Sequence, residues 1–332
     1  MKRQRKIIIK VGLAAVLLLS AAGFFAREVY VVSFAAQAST RGEQIVFTIE
    51  KGQGFRDIGS NLQKAGLIKS WVWFDGYVLL SHKYHKMQAG VYGITSGATC
   101  AQIARQISGG DILQEKITIK EGWNSHDIAN YLEQKQIFSQ NDFWSASQEQ
   151  QALIAYILSN DESALPYSAS RNGHAIGLEG FLYPDTYQFP FGSSVSAVLQ
   201  EILLNFKAKI SDQLRADIKS QGKNLYDILI MAGLLEKEVQ GYADKQMVAG
   251  ILWKRLGADW PLQVDVAMET YQKKGLPTEP ICNPGLESIK AAVYYQESPY
   301  WFYLSTPNGQ IIFNETFDQH KAARQKYLRS DL

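Results

Sequence analysis

Two carboxylates close a long apolar run. In Asp227-Ile228-Leu229-Ile230-Met231-Ala232-Gly233-Leu234-Leu235-Glu236-Lys237-Glu238 no charge intervenes between Asp227 and Glu236. The run reads as a helix, and Ile228–Leu235 is apolar on every side, which marks a buried one. At about 100° per residue, Glu236 shares a stripe with Leu225, Leu229, Ala232 and Val239. A carboxylate in an apolar stripe resists ionisation. An acid that keeps its proton can protonate a glycosidic oxygen as the bond breaks. Ala232 and Gly233, small residues at i−4 and i−3, would leave room for a sugar against the helix. Glu238 lies roughly 200° from Glu236, near Met231, Leu234 and Leu235. The two carboxylates therefore do not work as an acid–base pair from one helix face, and the periodicity favours Glu236 as the catalytic one. The plainer alternative is a helix that reaches the surface and ends in solvated charge.

The elements that would position such an acid must be found in the rest of the chain. Its 332 residues suffice for two domains and an anchor. At 46% hydrophobic and 20% charged it is globular, not disordered. A net charge of +2 gives no sign of nucleic-acid binding. Cys100 and Cys282 lie far apart and form no disulfide framework, and the histidines form no H-x-x-x-H pair. No metal and no cofactor are expected.

The N-terminus is basic and then apolar. Lys2, Arg3, Arg5, Lys6 and Lys10 precede Val11–Ala26, which stays uncharged until Arg27. With Ile7–Ile9 included, the segment approaches the roughly 20 residues that span a bilayer. The basic flank stays in the cytoplasm, so the chain after Arg27 should lie outside it. Residues 1–38 are therefore expected to be a cytoplasmic tail, a single-pass transmembrane anchor and a linker, placing the protein in the cytoplasmic membrane. The competing reading is a cleaved signal peptide with Ala36-Gln37-Ala38 as its site, although that site stands far beyond the apolar run.

A repeat appears 70 residues apart. Phe47-Thr48-Ile49-Glu50-Lys51-Gly52 matches Ile117-Thr118-Ile119-Lys120-Glu121-Gly122. Asp57-Ile58 then matches Asp127-Ile128, and Leu62 matches Leu132. Each copy reads as a short strand, a glycine turn and an amphipathic helix. Between them a helix through Ile103 and Ile107 should end at Gly109-Gly110. Beyond, helices are expected over Asn141–Asn160, Ser194–Lys209, Asp244–Leu256, Leu286–Val293 and about Asp318–Leu328. A loop is expected at Asn172–Gly177, and a hairpin at Trp301–Ser305 and Gln310–Phe313.

Several segments, in order, resemble the endolytic murein transglycosylase, or YceG-like, family. Leu178-Glu179-Gly180-Phe181-Leu182-Tyr183-Pro184-Asp185-Thr186-Tyr187 is similar to its L-E-G-x-L-x-P-D-T-Y motif. Leu235-Glu236-Lys237-Glu238 resembles its [IV]-E-K-E, and Leu262-Gln263-Val264-Asp265 its L-Q-[ST]-D. Gly275–Gly285 resembles its G-L-P-P-G-P-I-x-N-P-G, and Tyr300–Leu304 its Y-L-Y-F segment. The duplicated units resemble its LysM-like region. The resemblance implies an α+β chain: an N-terminal membrane helix, LysM-like strand–helix units over 39–140, and a mixed α/β catalytic domain over 141–332.

It further implies internal cleavage of peptidoglycan glycan strands between N-acetylmuramic acid and N-acetylglucosamine, leaving a 1,6-anhydro end. Glu236, first in the E-K-E motif, would carry the chemistry. On their residue types Glu179, Tyr183, Gln263, Asp265 and Asn283 are candidate substrate contacts, with Tyr187 a further ring for stacking. The alternatives left open are a capped turn for Gln263 and Asp265, a helix cap for Glu179, core packing for Tyr183 and Tyr187, and a plain turn at Asn283-Pro284-Gly285. The partners implied are glycan strands and the membrane, with cell-wall synthesis proteins as candidates. The chain departs from the family at Val266, where the family has proline, in a shortened connection from Asp265 to Gly275, and at Thr278-Glu279. Two other functions remain open: a silent glycan-binding scaffold, and a muramidase-type hydrolase with Asp265 as its second carboxylate.

Overall fold

The computed structural model describes residues 16–24, 27, 42–159, 170–171 and 174–328. Most of the expected anchor, the linker, Asn160, and Asn172-Gly173 at the start of the expected loop lie outside these residues. Residues 16–24 are helical. Among the described residues no helix is long and apolar enough to cross a membrane. The chain divides into two compact units.

The first unit comprises the described part of 1–115 and the short segment 188–192. Strand β1 (Gln44–Ile49) leads through Gly52 into helix α1 (Phe55–Lys64), and α2 (Trp71–Leu80) follows. Strand β2 (Gly90–Thr95) returns antiparallel to β1, with Gln44 opposite Thr95 and Ile49 opposite Gly90. Alternation puts Phe47 and Ile49 on the inner face of β1. They meet Ile58 and Leu62 of α1, Phe74 and Val78 of α2, and Tyr92 and Ile94 of β2 in one core. Helix α3 (Cys100–Gly109) is held at its start by a reciprocal Thr99–Gln102 capping box. It stops at Gly110, whose φ of 70° suits a residue without Cβ.

The second unit comprises 116–187 and 193–332. It opens within β3 (Gln114–Thr118), and α4 (Ser125–Gln134) follows a turn at Gly122. The two repeat copies thus share one local design. Gly52 and Gly122 both take positive φ, 86° and 76°, and Ile58/Ile128 and Leu62/Leu132 are buried at matching helix positions. The sequence boundary at 140 differs from the division at Glu115/Lys116, so the second copy belongs to the unit that carries Glu236 and Glu238.

The expected helix over Asn141–Asn160 is two helices, α5 (Gln140–Gln148) and α6 (Gln151–Ser159). The short strands β4 (Ser170–Arg171) and β5 (His174–Ala175) pair, and β6 (Thr186–Pro190) is the partner of β3. Helix α7 (Val195–Lys209) starts at Ser194, whose side chain accepts from the Ala197 N–H. A helix not anticipated from sequence, α8 (Asp212–Ser220), is capped by Ser211. The central helix α9 (Leu225–Glu238) is capped by Asn224, and α10 (Tyr242–Gly257) and α11 (Leu286–Val293) pack beside it. The hairpin β7 (Phe302–Ser305) and β8 (Ile311–Asn314) and helix α12 (Phe317–Leu328) complete the unit.

Gly250 of α10 lies directly under the chain at Gln296. A Cβ there would stand 1.9 Å from the Gln296 carbonyl oxygen, which is backbone and cannot turn away. Gly250→Ala is expected to destabilise the protein by about 1–3 kcal/mol, readable as a lower denaturant midpoint.

Candidate active site

Helix α9 is buried as its sequence requires. Residues Ile228–Leu235 are at most 1% exposed where hydrophobic, so only its final turn can offer polar groups to a ligand. The space beside Gly233 is not open to a sugar. The backbone of Ile281 and Cys282 lies 3.5–3.6 Å from where a Gly233 Cβ would be, and the Cys282 thiol reaches the Gly233 carbonyl. The small residue admits a neighbouring segment of the same chain.

The last turn sends its two carboxylates into different surroundings. Glu236 Oε2 accepts from the Gly285 N–H at 3.1 Å and the Ser288 hydroxyl at 2.6 Å. Its Oε1 lies 3.6 Å from Lys245 Nζ, and the two side chains are only 9% and 7% exposed. Lys245 also approaches Glu287 at 3.7 Å. The expectation of an apolar stripe at Glu236 is thus corrected. Helical periodicity places the stripe, but α10 and α11 bring a lysine and a serine onto its end. Glu121 also approaches Gly285, where a Cβ would meet its Oε1 at 2.0 Å, and burial and the charge of Glu236 push its carboxyl up.

Glu238 instead lines a cavity of about 460 Å³. Its Oε1 accepts from the Val266 N–H at 3.2 Å. Gln263 and Asp265 line the same cavity, together with Arg255, Tyr271, Tyr303, His320 and Arg324. Burial pushes the Glu238 carboxyl up against the pull of the Val266 N–H, and the charge of Asp265 adds to the rise. The Tyr271 hydroxyl donates to Asp265. Burial and that bond push the Tyr271 phenol up to about 12. The Tyr303 hydroxyl is buried and is raised by burial and by Glu238.

The shortened connection after Asp265 builds this wall. Thr270, 2% exposed, accepts from the Val264 N–H and donates to the Ala267 carbonyl, closing a tight turn at Met268–Tyr271. Gln263 takes φ 53°, a left-handed conformation uncommon for a residue with a side chain. Arg255, 4% exposed, ties the loop to the hairpin through the Leu262 and Trp301 carbonyls.

Among the proposed substrate contacts, Asn283 and Tyr183 are buried and Glu179 is half-buried. Asn283 is fully buried, and its Oδ1 accepts from the N–H groups of Gly180 and Leu182, both at 2.9 Å. Its Nδ2 donates to the Trp123 carbonyl and to Glu179, and the other Glu179 oxygen accepts from the Ser125 N–H. Every polar atom of the Asn283 side chain is engaged within the chain. Tyr183 is 8% exposed beneath Lys209, and Tyr187 is 5% exposed with its hydroxyl on the Tyr183 carbonyl. These positions fit a staple and a core, since their polar groups meet backbone and their rings meet protein. Of the six residues singled out from sequence, Gln263 and Asp265 share the cavity with Glu238, while Glu236, Glu179, Tyr183 and Asn283 are not among its lining residues. Sequence reasoning missed Tyr271, Tyr303, His320 and Arg324. Their signals were the shortened connection after Asp265, which holds Tyr271, and the aromatic run Tyr300–Leu304, which supplies Tyr303. Among the described residues no group of three or more His, Cys, Asp and Glu is arranged to hold a metal ion.

A family model described as the YceG-like family matches residues 47–269 and 267–326. The chain is 24% identical over 361 residues to an endolytic murein transglycosylase of Streptococcus pneumoniae serotype 2, covering 95% of this chain and 64% of that protein. It therefore spans less than two thirds of the length of that relative. It is 25% identical over 309 residues to an endolytic murein transglycosylase of Bacillus subtilis, covering 85% of this chain and 84% of that one. A crystal structure of a putative YceG-like protein from Listeria monocytogenes has the same fold. It aligns with a TM-score of 0.55 at 24% identity, over 85% of this chain and 99% of the other.

Proposed function

The chain belongs to the YceG-like family, and from that membership and the cavity beside Glu238 we propose that it is a lytic transglycosylase cutting peptidoglycan glycan strands internally. The observation that carries the reading is local. Of the two carboxylates in Glu236-Lys237-Glu238, Glu238 opens onto a cavity large enough for a sugar ring, while Glu236 is bound by Lys245, Ser288 and Gly285. In this reading Glu238 is the acid in place of the Glu236 that the family motif points to, and Glu236 holds the final turn of α9. Protonated Glu238 donates to the glycosidic oxygen between N-acetylmuramic acid and N-acetylglucosamine as the C1 bond breaks. The substrate's own N-acetyl group meets the charge developing at C1. The Glu238 carboxylate then takes the proton of the muramic 6-hydroxyl, whose oxygen closes on C1. No water is consumed, and the product is a 1,6-anhydro end.

Gln263 and Asp265 bind sugar hydroxyls from the cavity wall in this reading. Val11–Ala26 anchors the protein in the cytoplasmic membrane with the rest outside, so it meets nascent strands first and acts on them as a terminator of polymerisation. The protein incubated with purified sacculi should release anhydro-ended fragments, identified by mass spectrometry. Because Glu238 and Asp265 share one cavity, a hydrolase is the second reading. Reducing ends without anhydro ends would establish it and remove the transglycosylase, and no released fragments at all would favour a silent scaffold. Replacing residues 1–38 with a cleavable signal peptide should free the protein from membranes while leaving cleavage of sacculi intact. Recovery of the unaltered protein from the soluble fraction would end the anchor reading.

A further inference from the structure

One face of α12 forms a wall of the Glu238 cavity. Phe317, His320, Arg324 and Leu328, spaced at helical intervals, all line it. Among them Arg324 is exposed, its charge reaches Tyr271 and His320, and no hydrogen bond or ion pair joins it to a described residue. That is unexpected for a guanidinium in a cavity that holds two carboxylates. Asp265 accepts from the Tyr271 hydroxyl and Glu238 from the Val266 N–H. The cavity's other guanidinium, Arg255, is committed to backbone carbonyls. Beside Arg324, the His320 ring lies over Phe302 at 5.3 Å and 24°, and its buried Nδ1 has no hydrogen-bond partner. The α12 wall thus offers an open, planar fork of donors beside a buried imidazole nitrogen, and no described residue hydrogen-bonds to either.

We propose that Arg324, with His320 beside it, is a specificity-determining residue that receives a carboxylate of the substrate strand. This rests on the glycan-cutting reading above. A guanidinium fork matches a carboxylate in two parallel hydrogen bonds. Muramic acid carries its carboxyl on the lactyl ether. In a peptide-free strand that group is a free anion. In a peptide-bearing strand it is an amide, and the nearest anions belong to the peptide. A strand of N-acetylglucosamine alone offers neither. Glu238 enters its reaction protonated, so Asp265 is the one lining carboxylate that opposes the incoming anion, and its charge is shared with Tyr271.

The test measures kcat and KM for the unaltered protein, Arg324→Ala and Arg324→Lys on three substrates. These are peptide-free glycan strands, the same strands with their lactyl carboxyls methyl-esterified, and peptide-bearing strands. Arg324→Ala is expected to raise KM roughly 10- to 100-fold on strands carrying the recognised carboxylate, with kcat little changed. On esterified strands it should change nothing, and Arg324→Lys should restore part of the loss. A loss on peptide-free strands assigns the lactyl carboxylate, and a loss confined to peptide-bearing strands assigns the peptide. Equal losses on free and esterified strands, or no loss on any, would overturn the proposal. Arg324 is exposed, so a thermal midpoint matching the unaltered protein separates binding from folding. If the unaltered protein cuts none of the three, the glycan-cutting reading fails first and the subsite with it.

Discussion

Glu238→Gln is expected to lower kcat on glycan strands by about 10²- to 10⁴-fold, the usual share of a positioned general acid. Glutamine keeps the size of the side chain and can still accept from the Val266 N–H, so the fold should persist. The active form is the protonated one. Burial and Asp265 raise the Glu238 carboxyl, so the rate should hold into the range where an ordinary glutamate has ionised and then fall as pH rises through that raised value. The same shift has a sign for stability. Below the unfolded pKa both states are protonated. Above it the unfolded state ionises first, so stability falls with rising pH until the folded carboxyl also ionises. Glu238→Gln should remove that decline. Glu236→Gln is the informative partner. It leaves Lys245 facing a neutral amide, and its cost should appear in the denaturant midpoint more than in kcat. An inactive Glu236→Gln beside an active Glu238→Gln would return the acid role to Glu236.

Asn283→Ala is expected to cost about 3–5 kcal/mol, because it strands several buried groups at once. The Gly180 and Leu182 N–H groups lose their shared acceptor, while Glu179 and the Trp123 carbonyl lose a donor. Equilibrium unfolding in urea should show a large fall in midpoint at unchanged slope. A loss of substrate binding with the midpoint intact would instead make Asn283 a ligand contact. Asn283→Asp tests the pattern of donors. It keeps acceptors for Gly180 and Leu182 but sets a second carboxyl against Glu179, so it too should destabilise, and more at higher pH.

The local designs were legible where one helix or strand carries its own signal. Apolar residues on every side of Ile228–Leu235 required a buried helix, and the fold buries it. The repeat was readable because Gly52 and Gly122 both need a left-handed turn. Leu286–Val293 could be bounded because Asn283-Pro284-Gly285 forces a turn before it. Helix α8 was missed: its Ser211 cap was present, but its apolar face is thin, with only Leu214 and Ile218 buried. The break between α5 and α6 carries neither glycine nor proline to announce it.

The candidate site was harder to read, because it depends on what other elements bring to a helix end. Periodicity placed Glu236 and Glu238 on different faces, and the structure agrees that their surroundings differ. It could not say that Lys245 and Ser288 arrive on the Glu236 side, while Asp265, Tyr303 and α12 enclose the other. The stripe argument therefore pointed to the wrong environment for a sound local reason. Gln263 and Asp265 reach the cavity because the loop that holds them folds back beside the last turn of α9. Asn283, Glu179 and Tyr183 could be read either way from the sequence, because polar and aromatic residues in a motif look alike whether they meet a sugar or a backbone.

The Asn283 staple also governs how this protein can be divided. Asn283 exchanges backbone hydrogen bonds with Gly122 and Trp123, and Glu179 holds the Ser125 N–H at the start of α4. Those partners belong to the second repeat copy, although nothing in its pattern separates it from the first. The two copies are therefore not interchangeable parts. The first fills a core of its own between β1, β2 and α1–α3. The second has become internal scaffolding for the unit that bears Glu238. A cut at 140, where the repeat pattern ends, would sever Trp123 and Ser125 from the groups that depend on them.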